Sequence, residues 1–238
     1  MGRIVLVTGT DTGVGKTIVA AWLAGLTASS QRVALVKAVQ TGADPSVDGD
    51  EAFYRAALAG HPVTMTTLAT FPEPMAPSIA ARRAGKSVRA QDLVRSCLEI
   101  AENHDLTIVE GSGGFMVPID EDTNFADFSG ALQASLVLVI RPGLGTLNHT
   151  TLTLEAAATR RIPVEMLVCN GLAAKPRALE IENLHFLRVQ YPEIPLISLR
   201  RLRRADVHRL SLLRPRLLGE APPLIDGSIF EHMEVPRP

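Results

Sequence analysis

The feature that most constrains the fold of this chain is the segment GTDTGVGKT at residues 9–17. It follows an apolar run and opens a pattern typical of a helix over residues 18–27. A strand, a glycine-rich loop and a helix in this order form a phosphate-binding loop (P-loop), because backbone N–H groups and the positive helix end surround an oligophosphate. Lys16 is expected to reach the terminal phosphates, and the Thr17 hydroxyl to bind Mg²⁺. The motif GxxxxGK[ST] has glycine where this chain has Thr10, so a plain glycine-rich turn is the alternative.

The composition favours a parallel sheet that is buried on both faces. Hydrophobic residues make up 46% of the 238 residues and aromatic residues only 4%, so Val, Leu, Ile and Ala must form most of the core. The length fits one large α/β domain over residues 1–238, with a proline-rich tail at 219–238 that we expect to be loosely ordered. The formal charge of −1 offers no general attraction to nucleic acid or to an anionic membrane, so a small molecule is the expected partner.

The cysteines and the start of the sequence bear on the compartment. Cys97 lies in a helical pattern and Cys169 ends an apolar strand, without the spacing of metal ligands, so both are expected to be reduced and buried. The sequence begins with a strand and has no leader-like segment, and no apolar run approaches the roughly 20 residues of a membrane span. We therefore expect a cytoplasmic protein.

Two charged residues are predicted at the ends of buried strands. Lys37 ends the strand predicted at 32–37, and Glu110 follows the strand predicted at 106–109. In open α/β sheets, ligands bind outside the carboxyl ends of the strands, at the edge that carries the P-loop. There Lys37 can meet a phosphate as a compact charge, although a solvated lysine is the alternative. Glu110 is expected to hold the metal ion.

The acidic loop DPSVDGDE at residues 44–51 offers a further metal ligand. Asp48, Asp50 and Glu51 are candidates, because Mg²⁺ binds oxygen ligands and needs a carboxylate in addition to the threonine hydroxyl. Acidic residues before a helix, here predicted at 52–59, are commonly caps or partners of the helix dipole instead. The residue types alone leave both uses open.

Three other strand ends carry residues that can contact a ligand. The glycines of GSGG at residues 111–114 allow the backbone to approach a ligand closely. The strand predicted at 136–140 leads through RPGLGTLNH into a helix whose N-terminus can receive an anion, with a simple turn as the alternative. Asn170, after the strand predicted at 164–169, can both donate to and accept from a base, or form an Asn-Gly turn.

The remaining pattern completes an alternation of strands and helices. Helices are predicted at 76–84, 90–103, 124–134 and 178–189, a last strand at 194–199, and a connection with a β-prone piece (66–71) at 60–74. The pattern predicts an α/β fold of the P-loop NTPase type, with a mostly parallel central sheet and helices on both faces. The arginine-rich stretch at 200–216 is interpreted as solvated surface rather than a phosphate patch, because no aromatic residues alternate with it.

Five ordered blocks resemble those of the dethiobiotin synthetase family. They are VTGTDTGVGKT at 7–17, VKAVQTG at 36–42, FPEPMAPSIAA at 71–81, VEGSGGFMVPI at 109–119 and RPGLGTLNHTTLTLEA at 141–156. A generic P-loop protein shares only the first block. The family also has Gly9 and Thr10 as they stand here, which accounts for the imperfect P-loop motif.

The resemblance implies an ATP-dependent ring closure. In that family, one amine of 7,8-diaminononanoate takes up CO₂ as a carbamate, ATP phosphorylates the carbamate to a mixed anhydride, and the second amine attacks to close a ureido ring. ADP and phosphate leave. By the same resemblance, Lys16 would neutralise the transferring phosphoryl group, and Lys37 would hold the carbamate and the phosphate. These two lysines would be the catalytic residues.

The resemblance also implies the binding residues. Mg²⁺ would be held by Thr17, Asp50 and Glu110. The nucleotide would be bound by Gly13, Val14, Gly15, Lys16, Thr17, Ile18, Asp50, Glu110, Asn170 and Gly171, with Asn170 reading adenine. The substrate would be bound by Thr12, Thr41, Gly111, Ser112, Gly113, Gly145, Thr146, Leu147 and Asn148. In the family a partner subunit binds the substrate carboxylate, which implies a homodimer.

The chain departs from the family pattern at several positions. Ala38 stands where the family usually has proline, and Ser112 where it usually has alanine. Beyond Gly171 the resemblance is weak, so the selectivity for ATP over other nucleoside triphosphates stays open. A P-loop switch ATPase of the partition or metal-carrier type is the main alternative, but those proteins usually have a lysine at the position of Asp11. An amidotransferase-type synthetase would need a glutaminase domain, for which no residues remain.

Overall fold

A β-sheet flanked by helices forms the protein in the computed structural model, which describes residues 1–42, 49–202, 207–208, 210 and 216–217. The strands are β1 (Arg3–Gly9), β2 (Val33–Lys37), β3 (Gln40–Thr41), β4 (Val63–Thr67), β5 (Thr70–Phe71), β6 (Leu106–Glu110), β7 (Ser135–Ile140), β8 (Val164–Leu172), β9 (Leu196–Arg200) and β10 (Arg216–Leu217). The helices are α1 (Lys16–Thr27), α2 (Asp50–Ala57), α3 (Pro77–Arg83), α4 (Ala90–Glu102), α5 (Phe125–Ala131), α6 (Thr146–Thr159) and α7 (Ala178–Gln190).

The main sheet has eight strands in the order β10-β9-β8-β7-β1-β6-β2-β4. Every pair in it is parallel except the pair at one edge, where β10 runs antiparallel to β9. A separate parallel pair is formed by β3 and β5. The predicted α/β fold with a mostly parallel central sheet is therefore confirmed.

Both faces of the main sheet are covered, which explains why its strands read as continuous apolar runs. In β1, Val5 and Val7 pack in one core with Trp22 of α1. The alternate residues Ile4 and Leu6 pack in a second core with residues of α4 and α5. Side chains of successive strand residues point to opposite faces, so β1 is buried from both sides and holds the following P-loop on a rigid base.

Two strands differ from the expected pattern. The predicted connection at 60–74 contains the edge strand β4, whose sequence VTMTT has no apolar run because its residues are only partly buried or exposed. The strand expected to end at residue 169 continues as β8 through Asn170 and Gly171. Instead of forming a turn, this dipeptide produces an irregular register within the strand, where Gly171 has a φ of 82°.

Two smaller boundaries also differ. The strand predicted at 32–37 begins one residue later, since β2 is Val33–Lys37. The helix expected at 124–134 is shorter, since α5 ends at Ala131 and Gln133 has a φ of 51°, outside the helical region. Neither change moves a predicted site residue away from its strand end.

The two cysteines are free and buried, as expected. Burial, the main cause, raises the pKa of both the Cys97 and the Cys169 thiol to about 12. Both thiols are therefore protonated near neutral pH and act as small apolar groups of the core.

Several expectations fall outside the described residues. These are the metal candidate Asp48, the tail at 219–238 and, in the arginine-rich stretch, Arg203, Arg204, Arg209 and Arg214. Within the described ranges, none of the helices has the length and apolar character that crossing a bilayer requires.

Candidate active site

The charged residues predicted at strand ends meet at one edge of the sheet. In the ladders, Glu110 at the end of β6 is level with Val7 of β1 on one side and with Lys37 at the end of β2 on the other. The P-loop leaves β1 two residues beyond Val7, after Gly9. Adjacent parallel strands therefore bring the P-loop, Lys37 and Glu110 together, although 73 residues separate the last two in sequence.

The P-loop has the backbone of an anion-binding turn. Gly13 and Gly15 have φ values of 74° and 97°, in the left-handed region that favours glycine. Gly15 precedes the first residue of α1 without a side-chain cap, so the N–H groups of the helix end are available to a ligand. A Cβ atom on Gly15 would lie 1.9 Å from the side-chain nitrogen of Asn170, so a larger residue would displace the Asn170 side chain from its hydrogen bond to Val14.

Lys16 is buried, with 6% of its surface exposed, and its Nζ donates a hydrogen bond to the carbonyl oxygen of Asp11 at 3.0 Å. Burial lowers the pKa of Lys16 to about 8, while the charge of Glu110 opposes this shift and that of Lys37 adds to it. A buried ammonium with a lowered pKa gains from an incoming anion, because the anion replaces the solvation that burial removed.

Lys37 occupies the centre of a buried ionic cluster. Its Nζ lies 2.6 Å from Glu110 Oε1 and 2.6 Å from Asp50 Oδ2. The Thr17 hydroxyl donates to Glu110 Oε1 at 2.9 Å, and the Tyr54 hydroxyl donates to Glu110 Oε2. Burial lowers the pKa of Lys37, but the charges of Glu110 and Asp50 outweigh it and raise that pKa above the ordinary value. Lys37 is therefore a permanent cation.

Two adjacent acidic residues of α2, Asp50 and Glu51, have different partners. Asp50 is the first residue of α2, and its backbone N–H donates to the Gln40 side chain at 3.2 Å. The neighbouring Glu51 instead forms an ion pair with Arg55 and accepts a hydrogen bond from Thr67 at 3.1 Å. Of the two candidates, Asp50 is the one beside Lys37.

The oxygen atoms around Lys37 form a donor set suited to a hard divalent cation. Thr17 supplies a hydroxyl, and Asp50 and Glu110 each supply a carboxylate at the same ammonium group. Mg²⁺ prefers oxygen ligands and usually keeps few protein ligands, with nucleotide phosphates completing the shell. These residues therefore fit the Mg²⁺ ion that the P-loop motif predicts.

A cleft of about 460 Å³ opens beside the cluster, within the usual size range of small-ligand pockets. Its lining contains Thr12, Gly13, Gly15, Lys16, Thr17, Ile18, Lys37, Gln40, Thr41, Asp50, Phe53, Glu110, Ser112 and Gly113. Most of the predicted nucleotide and substrate residues therefore surround one space. The predicted residues that do not line this cleft are Val14, Gly111, Gly145, Thr146, Leu147, Asn148, Asn170 and Gly171.

Asn170 contacts the P-loop directly. Its Nδ2 donates to the carbonyl oxygen of Val14 at 3.0 Å, which ties β8 to the loop. Gly111 lies behind the cleft, where its backbone N–H donates to Val7 at 3.1 Å. Ser112 donates from its hydroxyl to the carbonyl oxygen of Val39 and thereby joins the loops after β6 and β2.

The loop after β7 forms a second uncapped helix end. Gly145 has a φ of 88° and precedes α6, which starts at Thr146 without a side-chain cap. Arg141 of this loop forms an ion pair with Asp11 of the P-loop at 3.1 Å, so the two loops are adjacent. Leu144, however, is 82% exposed, and none of the residues 145–148 lines the cleft described above.

Three residues near the site are absent from the sequence-based prediction. Gln40 and Phe53 line the cleft, and Tyr54 contacts Glu110 from the core. Phe53 and Tyr54 carry no polar motif of their own, but Tyr54 lies four residues after Asp50, the spacing that places two side chains on one face of a helix. That spacing was the available signal for Tyr54.

Comparison with known proteins gives consistent results. The model of a family described as an AAA domain matches residues 3–225. The curated ATP-dependent dethiobiotin synthetase of Rhodococcus erythropolis is 43% identical over 199 residues, covering 82% of this chain and 87% of the relative. That of Mycolicibacterium vanbaalenii is 39% identical over 214 residues, covering 88% and 93%.

Solved structures agree on the fold. An ATP complex of an McdA variant from Cyanothece has a TM-score of 0.62 at 13% identity, with 88% of each chain covered. A ParA family ATPase from Chlorobium tepidum has a TM-score of 0.57 at 13% identity, with 89% and 90% covered. At such low identity these similarities show the P-loop fold alone. The curated relatives cover nearly the whole chain at much higher identity, so this chain belongs to the ATP-dependent dethiobiotin synthetase family.

Proposed function

We propose that this protein is an ATP-dependent cyclo-ligase that converts 7,8-diaminononanoate and CO₂ to dethiobiotin, with ADP and phosphate as the other products. The observation that carries the proposal is the position of Lys37, a buried permanent cation in the lining of a P-loop cleft. A switch ATPase needs the P-loop but has no evident use for a second buried lysine there. A reaction through anionic intermediates needs such a lysine, because its fixed positive charge stabilises the negative charge that develops.

The proposed reaction needs positive charge at two successive steps. A carbamate oxygen, formed from CO₂ and one amine, attacks the γ-phosphorus of ATP, and the bond to ADP breaks. The nitrogen of the second amine then attacks the carbamoyl carbon, phosphate leaves with the bonding electron pair, and the amines lose protons to solvent. Lys16 and Lys37 would stabilise the negative charge at these steps as fixed ammonium groups, without forming a covalent bond.

The P-loop backbone would hold the nucleotide phosphates. Gly13, Gly15 and the uncapped start of α1 present N–H groups, and the Lys16 ammonium lies beside them. Thr17, Asp50 and Glu110 would hold Mg²⁺, which when bound neutralises phosphate charge. Asn170, which is tied to Val14, would contact the base with its remaining hydrogen-bonding capacity.

The diamine would lie between the loops after β2 and β6. Thr12, Thr41, Ser112 and Gly113 line that part of the cleft and would contact the amines and the carbamate. The carbamate that forms at one end of the substrate and the carboxylate at the other end are both anions, which suit two anion-binding helix ends. We infer that the residues 145–148 at the start of α6 bind the carboxylate in the cleft of a partner subunit, which makes the protein a homodimer.

The function is tested by phosphate release from the purified protein with Mg·ATP and bicarbonate, with and without 7,8-diaminononanoate. Release should depend on the diamine, and mass spectrometry should find a product that has gained CO and lost two hydrogen atoms. Release that ignores the diamine would refute the ligase and would favour a switch ATPase.

The shared site is tested with two variants that should each be inactive, Lys37→Met and Asn148→Ala. They are mixed in equal amounts, and activity is measured after their subunits have exchanged. In a mixed dimer one of the two sites carries both native residues, so random mixing should restore about one quarter of the native activity. A mixture that remains inactive, despite exchange shown by mass, would place both residues in the same subunit's site.

A further inference from the structure

Tyr54 lies behind the cleft rather than in it. It belongs to α2, is 1% exposed and packs in the core with residues of α1. Its hydroxyl donates a hydrogen bond to Glu110 Oε2, whereas the cleft is lined by its neighbour Phe53. Any effect of Tyr54 on a bound ligand must therefore pass through Glu110.

The two oxygen atoms of Glu110 have separate partners. Oε1 accepts from Thr17 at 2.9 Å and contacts Lys37 at 2.6 Å, on the side of the cleft. Oε2 accepts from Tyr54 on the side of the core. The terminal torsion of a glutamate is broad, so a carboxylate without a partner on its second oxygen can turn. The phenol removes that freedom.

Helix α2 carries both Asp50, one of the two carboxylates of the cluster, and Tyr54, which orients the other. Asp50 and Tyr54 are four residues apart, so they lie on the same face of the helix. Asp50 contacts Lys37 directly, and Tyr54 contacts Glu110. The position of α2 therefore sets the geometry of one ligand candidate and the orientation of the other.

We infer that Tyr54 is a positioning residue for Mg²⁺·nucleotide binding, because its hydrogen bond orients the Glu110 carboxylate toward Thr17 and toward Lys37, which Asp50 also contacts. This inference rests on the proposed function, in which Thr17, Asp50 and Glu110 hold the metal. Groups that hydrogen-bond to a metal ligand commonly change metal affinity or activity by about 10–100-fold. The hydroxyl of Tyr54 is therefore worth about tenfold in the contribution that Mg²⁺ makes to nucleotide affinity.

The test compares Tyr54→Phe with the native protein by calorimetric titration of a non-hydrolysable ATP analogue, in excess Mg²⁺ and again in EDTA. The ratio of the two dissociation constants measures how much the metal strengthens nucleotide binding. Tyr54→Phe should reduce this ratio about tenfold and leave the affinity in EDTA within about twofold of the native value. The ring is retained, so the core stays filled, and urea unfolding verifies the fold.

The matched control is Tyr191→Phe, which removes the hydroxyl of the chain's other tyrosine. That hydroxyl donates to Thr151 of α6 at 3.3 Å, away from the cleft. This variant should keep both dissociation constants. A Tyr54→Phe protein with the native ratio, or with equal losses in Mg²⁺ and EDTA, would overturn the positioning role. Because no diamine is used, a failure of the ligase assay leaves this comparison interpretable.

Discussion

Replacing Lys37 tests whether its role in turnover can be separated from its role in stability. Lys37→Met removes the ammonium and keeps an apolar stem of similar length. It leaves Glu110, which is 1% exposed, with hydrogen bonds from Thr17 and Tyr54 but with no cation at 2.6 Å. We therefore expect this variant to lose both activity and stability.

The size of the stability loss follows from the geometry of the pair. At 2.6 Å and an effective dielectric constant of about 20, the Coulomb attraction between Lys37 and Glu110 is about 6 kcal/mol, and desolvation offsets part of it. Removing one partner of a buried pair typically costs about 3–5 kcal/mol. Because Glu110 keeps two hydrogen-bond donors, we expect about 3 kcal/mol.

A second substitution separates the two effects. In the double variant Lys37→Met, Glu110→Gln, the charge of the fully buried Glu110 is removed as well. Of the cluster, only Asp50 then lacks its cation, and its side chain is 28% exposed, so the free energy of unfolding should return to within about 1 kcal/mol of the native value. Turnover should remain at least about 10²-fold below native, because the charge that stabilises the reacting anions is still missing. Lys37→Arg keeps the charge, but its planar guanidinium should not restore turnover.

Urea unfolding measures the stability, and diamine-dependent phosphate release measures the turnover. Native stability of Lys37→Met would refute the buried-pair argument. Recovered turnover in the double variant would show that the single variant fails only through instability. Native activity of Lys37→Arg would show that a compact ammonium is not required.

Three further predictions concern the loop, the pH dependence and the acidic residues. Gly15→Ala should abolish nucleotide binding, because its φ is 97° and the new Cβ would lie 1.9 Å from a side-chain nitrogen; Gly60→Ala, with a φ of 85° and open space, should bind normally in the same titration. The pKa of Lys16 is lowered to about 8, so in the free protein its ammonium loses a proton above that pH. Nucleotide binding near pH 9 should therefore be weaker and should take up close to one proton, which calorimetry in two buffers of different ionisation enthalpy can measure. Binding without proton uptake would contradict this prediction. Asp50→Asn should weaken Mg²⁺-dependent binding at least about tenfold, and Glu51→Gln should not; equal effects in the same titration would contradict the assignment.

The strand ends could be predicted from the sequence because apolar runs there stop at a charged or glycine-rich segment. Lys37 and Glu110 both follow such runs, and both lie at the expected edge. Their direct contact could not be predicted, because it depends on β2 and β6 being neighbours in register, and the order of strands in a sheet is not written in local periodicity.

Two features were only partly predicted or missed for a related reason. β4 begins three residues before the predicted β-prone piece at 66–71, because it is an edge strand of mostly threonine and lacks the apolar run that marks a buried strand. Tyr54 reads as a core residue, since its ring is buried and only its hydroxyl reaches Glu110. The four-residue spacing from Asp50 places Tyr54 on the helix face that points to the site, but it does not identify Glu110 as the partner of the hydroxyl.

The block FPEPMAPSIAA at residues 71–81 contains no predicted site residue, but the small sheet of β3 and β5 connects it to the site. The backbone N–H of Asp50 donates to Gln40 of β3, and β3 pairs with β5 through Thr41 and Phe71. Phe71 is 3% exposed and begins the block FPEPMAPSIAA. The geometry of the Asp50 carboxylate therefore depends on packing in a segment that does not line the cleft, and cavity-forming changes at Phe71 should alter metal-dependent binding from a distance.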